Sequence, residues 1–317
     1  MFAPPTLIVP EVFCSVPERY RKQSQSAEWL RVQKRGATAH SFLEGPCFDR
    51  AGNLYLTDIP YGRIFRVDPQ GEFALIADYD GEPNGLKVHA DGRIFIADHK
   101  HGILLLDPAS GAVTPYLDRP RLERFKGVND LCFAPNGDLY FTDQGQTGLQ
   151  DPSGRIYRYS TTGQLSCLMD NIPSPNGIVV TPDGASVLVA VTRANSVWRA
   201  PLLDDGSVSK VAAFLNLSGG YGPDGLALDQ AGGLAVCHPG LGSVWLFDAD
   251  GEPLARVKSQ TGKVLTNCAY GGPDGRWLYI TEADSGLVLR ARMPAAGIDL
   301  LAAAPAAAAI PSQGASS

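Results

Sequence analysis

A strand-like segment that recurs six times along the chain constrains the fold more than any other feature. Each copy follows a glycine-containing turn and is rich in β-branched and aromatic residues, which favour β-strands. Consecutive copies begin 40 to 48 residues apart, a period typical of repeat architectures. The copies are GNLYLTD (52–58), GRIFIAD (92–98), GDLYFTD (137–143), GASVLVAVT (184–192), GGLAVCH (232–238) and GRWLYITE (275–282).

Further strands flank each copy. A third strand usually follows, such as GRIFRVD (62–68), and a fourth, such as FALIADYD (73–80), precedes the next unit. Helical periodicity is nearly absent over the same span. Four short antiparallel strands in each of six units predict an all-β fold, a six-bladed β-propeller. The N-terminal LIVPEVF (7–13) is predicted to supply an outer strand to the last blade and to close the ring.

We expect a single propeller domain over residues 1–300, with two segments outside the repeat. Residues 17–41 are polar and precede the first inner strand, where they form either a surface loop or a partial lid over one face. Residues 301–317, LAAAPAAAAIPSQGASS, form an Ala/Pro-rich tail of low complexity that is predicted to be disordered.

The composition argues against several functional classes. The formal net charge is −6 and no basic stripe is present, so nucleic acid is not an expected partner. No apolar run reaches the roughly 18 residues of a membrane helix, and the N-terminus lacks the basic region of a secretory signal. The six cysteines include no CxxC pair and are expected to be reduced. These features predict a cytoplasmic protein.

The first strands of the blades begin with side chains of similar chemistry. In five blades an amide or a carboxylate lies 14 or 15 residues before the end of the second strand. In the fourth blade the corresponding residue is the Asn of a Pro-Asn-Gly sequence. First strands line the central channel of a propeller, so we expect these side chains to point at one spot near the channel mouth. The six residues are Glu44, Asn84, Asn129, Asn176, Asp224 and Asn267.

Two explanations of this pattern remain open. Asn and Asp before Gly are ordinary turn residues, and for Asn84 and Asn267 a turn role explains the pattern as well as a binding role. Glu44 favours binding, because Glu is a poor turn residue. Glu44 and Asp224 would also repel each other in a tunnel unless a cation lay between them. Oxygen ligands suit a hard divalent cation, so the sequence predicts a metal site.

Polar residues are also expected to surround the mouth. The second strands run back toward the face at which the first strands begin, so their ends and the loops that follow should form a rim. For any single rim residue, a solvated loop is an equally good explanation. From the rim and the ring together we predict substrate contacts by Tyr61, Asn84, His99, Asn129, Asp143, Gln144, Arg193 and His238.

Several motifs carry a family resemblance. Over residues 41–293 the chain resembles the family of gluconolactonases and senescence marker protein (regucalcin), which are six-bladed, calcium-dependent propellers. The motifs are LEGPCFDRAGNLYLTD (43–58), KGVNDLCFAPNGDLYFTDQG (126–145), PSPNGIVVTPDG (173–184), GPDGLALDQAGGLAVCHPG (222–240) and TNCAYGGPDGRWLYITEADSG (266–286).

The resemblance implies roles for particular residues. It places the metal ligands at Glu44, Asn176 and Asp224, and it makes Asp224 the candidate general base. Asn129 corresponds to a residue that binds metal or substrate in different members. The related diisopropyl fluorophosphatase uses a similar set of four residues, Glu, Asn, Asn and Asp. One departure is Gly127, which stands where members that act on sugar lactones carry Arg, so recognition of an aldonolactone by that Arg is not expected here.

The leading functional prediction is therefore metal-dependent hydrolysis of a small lactone. The cation is expected to be Ca²⁺ on grounds of hardness, with Mg²⁺, Mn²⁺, Zn²⁺ and Fe²⁺ as alternatives. A second reading is an organophosphate or aryl-ester hydrolase with the same metal, favoured by Gly127, Tyr61 and Tyr221. A third is a non-catalytic propeller scaffold. The sequence determines neither the lactone nor the oligomeric state.

Overall fold

Six β-sheets are arranged around a central channel, as the repeat predicted. The structure is a computed structural model that describes residues 4–22 and 27–299. Each blade contains four antiparallel strands, and the first strands of successive blades contact one another around the ring. The all-β, six-bladed propeller is thus confirmed. The predicted tail at 301–317 lies outside the described residues.

The strands follow the chain from blade to blade. Two N-terminal strands come first, β1 (Thr6–Ile8) and β2 (Glu11–Ser15). Blades one to three consist of β3 (Leu43–Phe48), β4 (Leu54–Asp58), β5 (Arg63–Val67), β6 (Phe73–Asp78); β7 (Pro83–Val88), β8 (Ile94–Asp98), β9 (Gly102–Leu106), β10 (Val113–Leu117); and β11 (Val128–Phe133), β12 (Leu139–Asp143), β13 (Gly154–Tyr159), β14 (Leu165–Ile172). Blades four to six consist of β15 (Pro175–Val180), β16 (Ser186–Val191), β17 (Ser196–Pro201), β18 (Ala212–Asn216); β19 (Leu226–Leu228), β20 (Leu234–His238), β21 (Ser243–Phe247), β22 (Pro253–Lys258); and β23 (Leu265–Gly271), β24 (Trp277–Glu282), β25 (Leu287–Arg292).

The N-terminal strands join the two ends of the ring. Strand β2 pairs antiparallel with β25 and becomes the outer strand of the sixth blade, which confirms the predicted closure. Strand β1 pairs parallel with β22 and adds a fifth strand to the fifth blade, an addition that was not predicted. The two short strands therefore hold neighbouring blades together, and the ring is closed by main-chain hydrogen bonds.

Apolar side chains fill the space between neighbouring blades. Between the second and third blades, Phe95 packs edge-on against Phe133 with ring centroids 5.1 Å apart. In the same cluster, Phe141 and Tyr157 of the third blade stack on each other at 5.4 Å. Such pairs stabilise a core by about 0.5–1.5 kcal/mol beyond the area that they bury. The blades are therefore packed rigidly enough to fix the side chains that face the channel.

A hydroxyl at the end of several second strands bonds to the next blade. The Thr57 hydroxyl donates to the carbonyl of Asn84 at 2.7 Å, and the Thr142 hydroxyl donates to the carbonyl of Asn176 at 2.8 Å. These bonds explain the Thr that precedes Asp in LYLTD and LYFTD. They fix the height at which each blade presents its first strand to the channel.

The segment 17–41 was expected to be a loop or a lid. It contains a 3₁₀ turn (Glu18–Tyr20) and one short helix, α1 (Glu28–Gln33). In α1, Leu30 is buried and the ring of Trp29 packs on that of Phe42, with centroids 4.7 Å apart. Residues 29–37 thereby form one wall of the cavity at the channel mouth. Movement of this wall as a lid stays a prediction.

Two expectations from composition concern the whole chain. Within the described ranges, no helix is long and apolar enough to cross a membrane. All six cysteines are free thiols, and four of them are buried, which agrees with their expected reduced state.

Candidate functional site

The first strands place six side chains in a ring at one mouth of the channel, which we call the mouth ring. In five of these strands the pairing with the second strand shifts at this position, as in a β-bulge, and bulges re-aim side chains. All six residues line the same cavity. The mouth ring consists of Glu44, Asn84, Asn129, Asn176, Asp224 and Thr266.

The sixth member differs from the prediction. Leu265 pairs with Glu282 as Val128 pairs with Asp143, so Thr266 is the equivalent of Asn129, and Asn267 lies one residue further along. Each arm of the β23–β24 hairpin is one residue longer than in β11–β12, so counting back from Glu282 gave the wrong position. The assignment of Asn267 to the ring was therefore wrong.

Asn267 and Asp130 fill the channel beneath the mouth ring. A Cβ added to Gly85 would lie 2.3 Å from the Asp130 carboxylate, and one added to Gly225 would lie 2.1 Å from the Asn267 amide oxygen. Glycine is thus required at these positions because the two larger side chains occupy the space. Asn267 links the layers, since its amide donates to Glu44 Oε2 at 2.9 Å and to Asp130 Oδ2 at 3.5 Å.

Sequence reasoning missed Asp130 and Lys87 as channel residues. The Lys87 ammonium lies 3.9 Å from Asp130 Oδ1, and the Asp130 side chain is buried whereas that of Lys87 is partly exposed. Burial raises the pKa of Asp130, and Lys87 opposes part of that rise. The signal was present in the alternation of β7, because Lys87 interrupts an apolar pattern on the channel side.

The mouth ring forms the floor of a cavity of about 930 Å³. That volume suits a small-molecule ligand. Among the described lining residues, two are acidic, Glu44 and Asp224, and both belong to the floor. Basic side chains line the walls: Lys34, Arg35, His99 and Arg193. The cavity therefore places its negative charge at the bottom and its positive charge around the sides.

Glu44 is a buried carboxylate with two fixed donors. Its side chain is 3% exposed, and its Oε2 accepts from the backbone amide of Gly45 at 2.7 Å and from Asn267 at 2.9 Å. Burial raises the pKa of Glu44 to about 7, and the nearby Asp130 adds to the rise. The ionised form is thus costly unless positive charge lies close by.

Asp224 lies on the same floor as Glu44. Its backbone amide donates to the carbonyl of Cys237 at 2.9 Å, which fixes the loop before β19. Burial raises the pKa of Asp224 well above its usual value, and the charges of Glu44 and Asp130 add to the rise. A hydrogen bond with Asn176 and the charge of Arg193 act in the opposite direction.

Asn129 has an amide orientation that its neighbours determine. Its Nδ2 donates to Gln144 Oε1 at 3.1 Å, and Gln144 Nε2 donates to the Ser174 hydroxyl at 3.0 Å. Asn129 Oδ1 is buried, and among the described residues no donor bonds to it. An unsatisfied buried acceptor costs about 1–3 kcal/mol, so this oxygen requires a partner that is not part of the described chain.

Three predicted substrate contacts do not reach the cavity lining. The Tyr61 hydroxyl donates to the carbonyl of Ala39, and Asp143 accepts from the backbone amide of Gly127 at 2.8 Å. The His238 ring bonds to the carbonyl of Gly219 at 2.9 Å and accepts from Trp245 at 3.3 Å. These side chains fix the loops around the mouth. By contrast, Asn84, His99, Asn129, Gln144 and Arg193 do line the cavity.

The structure explains why glycine stands at position 127. A Cβ on Gly127 would lie 2.2 Å from the His99 ring, and the residue has a φ of 152°, which side chains rarely adopt. His99 therefore fills the space that a larger side chain at 127 would need. The polar side chain on this side of the cavity is therefore His99 of the second blade, and the third blade contributes none at position 127.

The strands that carry the site lie within a sequence region that is shared with known proteins. Residues 42–284 match the sequence profile of the SMP-30/gluconolactonase/LRE-like region. The chain belongs to this family. Among its relatives, a gluconolactonase from Zymomonas mobilis subsp. mobilis is 29% identical over 281 residues, 78% of each chain. A lactonase drp35 from Staphylococcus aureus (strain bovine RF122 / ET3-1) is 30% identical over 248 residues, 74% of each chain.

Solved structures of other SMP-30/gluconolactonase/LRE-like proteins and their neighbours show the same fold. Regucalcin from Agrobacterium tumefaciens, a calcium-binding protein, superimposes with a TM-score of 0.73 and 24% identity, over 92% of this chain and 97% of that one. A gluconolactonase from Xanthomonas campestris, XC5397, gives a TM-score of 0.72 and 21% identity, over 93% and 99%. At these identities the likeness concerns the fold alone.

The residues of this family member fit a hard divalent cation. The mouth ring offers two carboxylates, Glu44 and Asp224, and burial raises the pKa of each. Asn129 Oδ1 is an unpaired oxygen at the same level. Within residues 4–22 and 27–299, no three His, Cys, Asp or Glu side chains form a group that could hold a metal ion. A cation here would therefore need amide oxygens as well.

Proposed function

We propose that the chain is a hydrolase that opens a small lactone with the help of a divalent cation. One observation carries the proposal: two carboxylates and an unsatisfied amide oxygen converge at the floor of a cavity sized for a small molecule. The lactonase and gluconolactonase relatives support the reaction class. The proposed cation and the proposed mechanism are supported by the chemistry of the side chains at the floor of the cavity.

Glu44, Asn129, Asn176 and Asp224 are the proposed ligands of the cation. When bound, a divalent cation supplies Lewis acidity that polarises the lactone carbonyl. The two amides set the geometry without adding negative charge, and all four side chains offer oxygen. Oxygen-only ligands favour Ca²⁺, with Mg²⁺ and Mn²⁺ next, over Zn²⁺ and Fe²⁺.

Asp224 is the proposed general base. Asp224 would accept a proton from the attacking water, and in the metal-free protein burial raises the pKa of its carboxyl group. Its hydrogen bond with Asn176 helps to fix the orientation of the carboxylate. The rings of Trp29 and Phe42 pack on each other and line the same cavity.

A second candidate function uses the same floor. Tyr221 and Leu149 line the cavity together with Trp29 and Phe42, so part of the wall is apolar. This wall suits an aryl ester or an organophosphate as well as a lactone ring. A non-catalytic scaffold with a structural metal is the remaining alternative.

A substrate panel with defined cations tests the proposal. Chelator-treated protein is assayed with a sugar lactone, an acyl lactone, an aryl ester and a fluorophosphonate after each of Ca²⁺, Mg²⁺, Mn²⁺, Zn²⁺ and Fe²⁺ is restored. We expect lactone hydrolysis that needs an added cation. Turnover of the fluorophosphonate alone would favour the second candidate. A cation-dependent rise in melting temperature without any turnover would favour the scaffold.

Gln144 is predicted to hold Asn129 rather than to bind substrate. Replacing Gln144 by leucine removes the acceptor for Asn129 Nδ2, so the amide is free to turn its oxygen away from the floor. Loss of such a supporting hydrogen bond typically costs 10–100-fold in metal affinity. We expect a drop of about 10-fold or more in Ca²⁺ affinity by calorimetry. Gln146→Leu, an exposed glutamine beside the same cavity, is the matched control, and equal losses in both variants would contradict this role.

A further inference from the structure

The basic wall of the cavity indicates which lactones the site selects. We propose that the substrate is an anionic lactone, whose carboxylate or phosphate group is bound by Arg193 while its ring carbonyl lies at the floor. This inference rests on the proposed lactonase function and narrows its substrate class.

Arg193 is fixed next to the floor by the fold. It belongs to a 3₁₀ turn (Thr192–Ala194) that ends at Asn195, which has a left-handed conformation. The Thr192 hydroxyl donates to the carbonyl of Pro223 at 2.8 Å, and the Thr192 amide donates to the carbonyl of Ser174 at 3.0 Å. Pro223 precedes Asp224 directly. The turn that carries Arg193 is thus anchored to the loop that carries the proposed base.

The Arg193 guanidinium carries the N–H donors that an anion site requires, and no partner within residues 4–22 and 27–299 uses them. The side chain is exposed and lines the cavity. Among the described residues, it makes no hydrogen bond and no close ion pair. Its charge acts on Asp224 only at longer range. Arginine binds carboxylates and phosphates through two parallel hydrogen bonds, so a free guanidinium beside a reaction site is suited to an anionic substituent.

The other cations of the wall are less available or less fixed. The Lys34 ammonium lies 3.4 Å from Asp284 and over the ring of Phe42. Arg35 follows α1 in a left-handed conformation with a φ of 52°, and its side chain is exposed. Both add positive potential at the cavity opening, although Arg193 is the cation tied to the floor. We therefore assign the specific contact to Arg193 and a steering effect to Lys34 and Arg35.

Charge balance supports an anionic substrate over a neutral one. The two acidic residues of the lining are the proposed cation ligands, and a divalent cation would offset both charges. The remaining lining charges are then the basic side chains of the wall. A cavity lined by one sign of charge concentrates ligands of the opposite sign. A neutral lactone would leave the Arg193 guanidinium without a counter-charge in the complex.

A matched pair of substrates tests this assignment on the cation-loaded protein. The pair is γ-butyrolactone-γ-carboxylate and its carboxamide, which share ring and size and differ in charge, with a lactone that carries a phosphate ester as a third arm. We expect kcat/KM for the carboxylate to exceed that for the carboxamide by at least about 10-fold. This is the range in which charge-assisted hydrogen bonds act. If the carboxylate substrate has the higher kcat/KM, the anionic group that Arg193 binds is a carboxylate. If the phosphate ester has the higher value, that group is a phosphate.

Variants separate substrate binding from a general effect on Asp224. In Arg193→Gln the ratio of kcat/KM between carboxylate and carboxamide should fall at least about 10-fold, mainly through KM. Arg276→Gln, an exposed arginine in the β23–β24 turn on the opposite face, should leave the ratio unchanged. An equal loss for both substrates in Arg193→Gln, or a wild-type preference for the carboxamide, would overturn the proposal.

A binding measurement keeps this inference separate from the proposed function. Tetrahydrofuran-2-carboxylate is not hydrolysed, and its affinity can be measured by calorimetry. We expect Arg193→Gln to weaken its binding at least about 10-fold. If no lactone is turned over while this loss is seen, the proposed function fails and anion recognition by Arg193 stands. If affinity is unchanged while lactones are hydrolysed, the assignment of Arg193 fails alone.

Discussion

Replacing Asp224 by asparagine is expected to lower kcat/KM for lactones by about 10²–10⁴-fold, the range typical of a lost general base. The substitution preserves size and one oxygen, so it removes the proton acceptor and one negative charge. Assays at saturating cation, with occupancy checked by calorimetry, separate loss of the base from loss of the metal. The expected result is a protein that binds the cation, more weakly than wild type, and hydrolyses almost no lactone.

Asp170→Asn is the matched control for this experiment. Asp170 is exposed on β14, the outer strand of the third blade, so its substitution should leave kcat/KM within about 2-fold. Turnover near the wild-type level in Asp224→Asn, with the cation bound, would remove Asp224 from the mechanism. Water would then need another base, and the other acidic residue of the lining is Glu44.

Replacing Glu44 by glutamine is expected to change metal binding and stability in opposite directions. Cation affinity should fall by about 100-fold, because one of the two carboxylates of the floor is lost. Without metal, the variant should be more stable than wild type at pH 8. Burial raises the pKa of Glu44 to about 7, so its ionised form destabilises the fold by about 3 kcal/mol relative to the unfolded chain.

The stability of the metal-free protein is expected to depend on pH through the protonation of Glu44. A carboxyl group whose pKa is raised in the folded protein binds its proton more tightly there than in the unfolded chain. The stability of metal-free wild type should therefore fall as the pH rises from about 4.5 to about 7. The advantage of Glu44→Gln should vanish near pH 4.5. Thermal unfolding with and without Ca²⁺ at several pH values measures both effects.

Glu72→Gln provides the comparison, since Glu72 is exposed in the turn between β5 and β6. It should alter neither cation affinity nor the pH profile of unfolding. A metal-free Glu44→Gln protein that is less stable than wild type at pH 8 would mean that Glu44 acts mainly through its hydrogen bonds to Gly45 and Asn267.

The repeat made much of the site predictable from sequence. Five of the six residues selected by their position in the repeat belong to the mouth ring, because each blade folds by the same local rules and presents its first strand at the same height. The Glu44, Asn129, Asn176 and Asp224 set could be found in this way. The closing strand β2 was also predicted, because the last blade otherwise lacked an outer strand.

Contacts between blades were not predictable by the same counting. Gln144 was assigned to substrate, yet it bonds to Asn129 and Ser174. Asp143 and His238 occupy the expected ends of second strands, yet they hold backbone groups of adjacent loops. A polar side chain at a rim bonds to whatever lies within about 3 Å, and that neighbour belongs to a distant part of the sequence.

The sequence by itself determined the architecture, the number of blades and the height of the mouth ring, because these follow from strand period and turn chemistry that act locally. Only the tertiary structure decided that Thr266, and not Asn267, completes the ring, since hydrogen-bonded register and not residue count sets which side chain faces the channel. It also decided that Asn129 Oδ1 lacks a donor among the described residues and that the turn carrying Arg193 is anchored to the loop before Asp224. Burial and electrostatics depend on distances across the ring, which no single blade encodes.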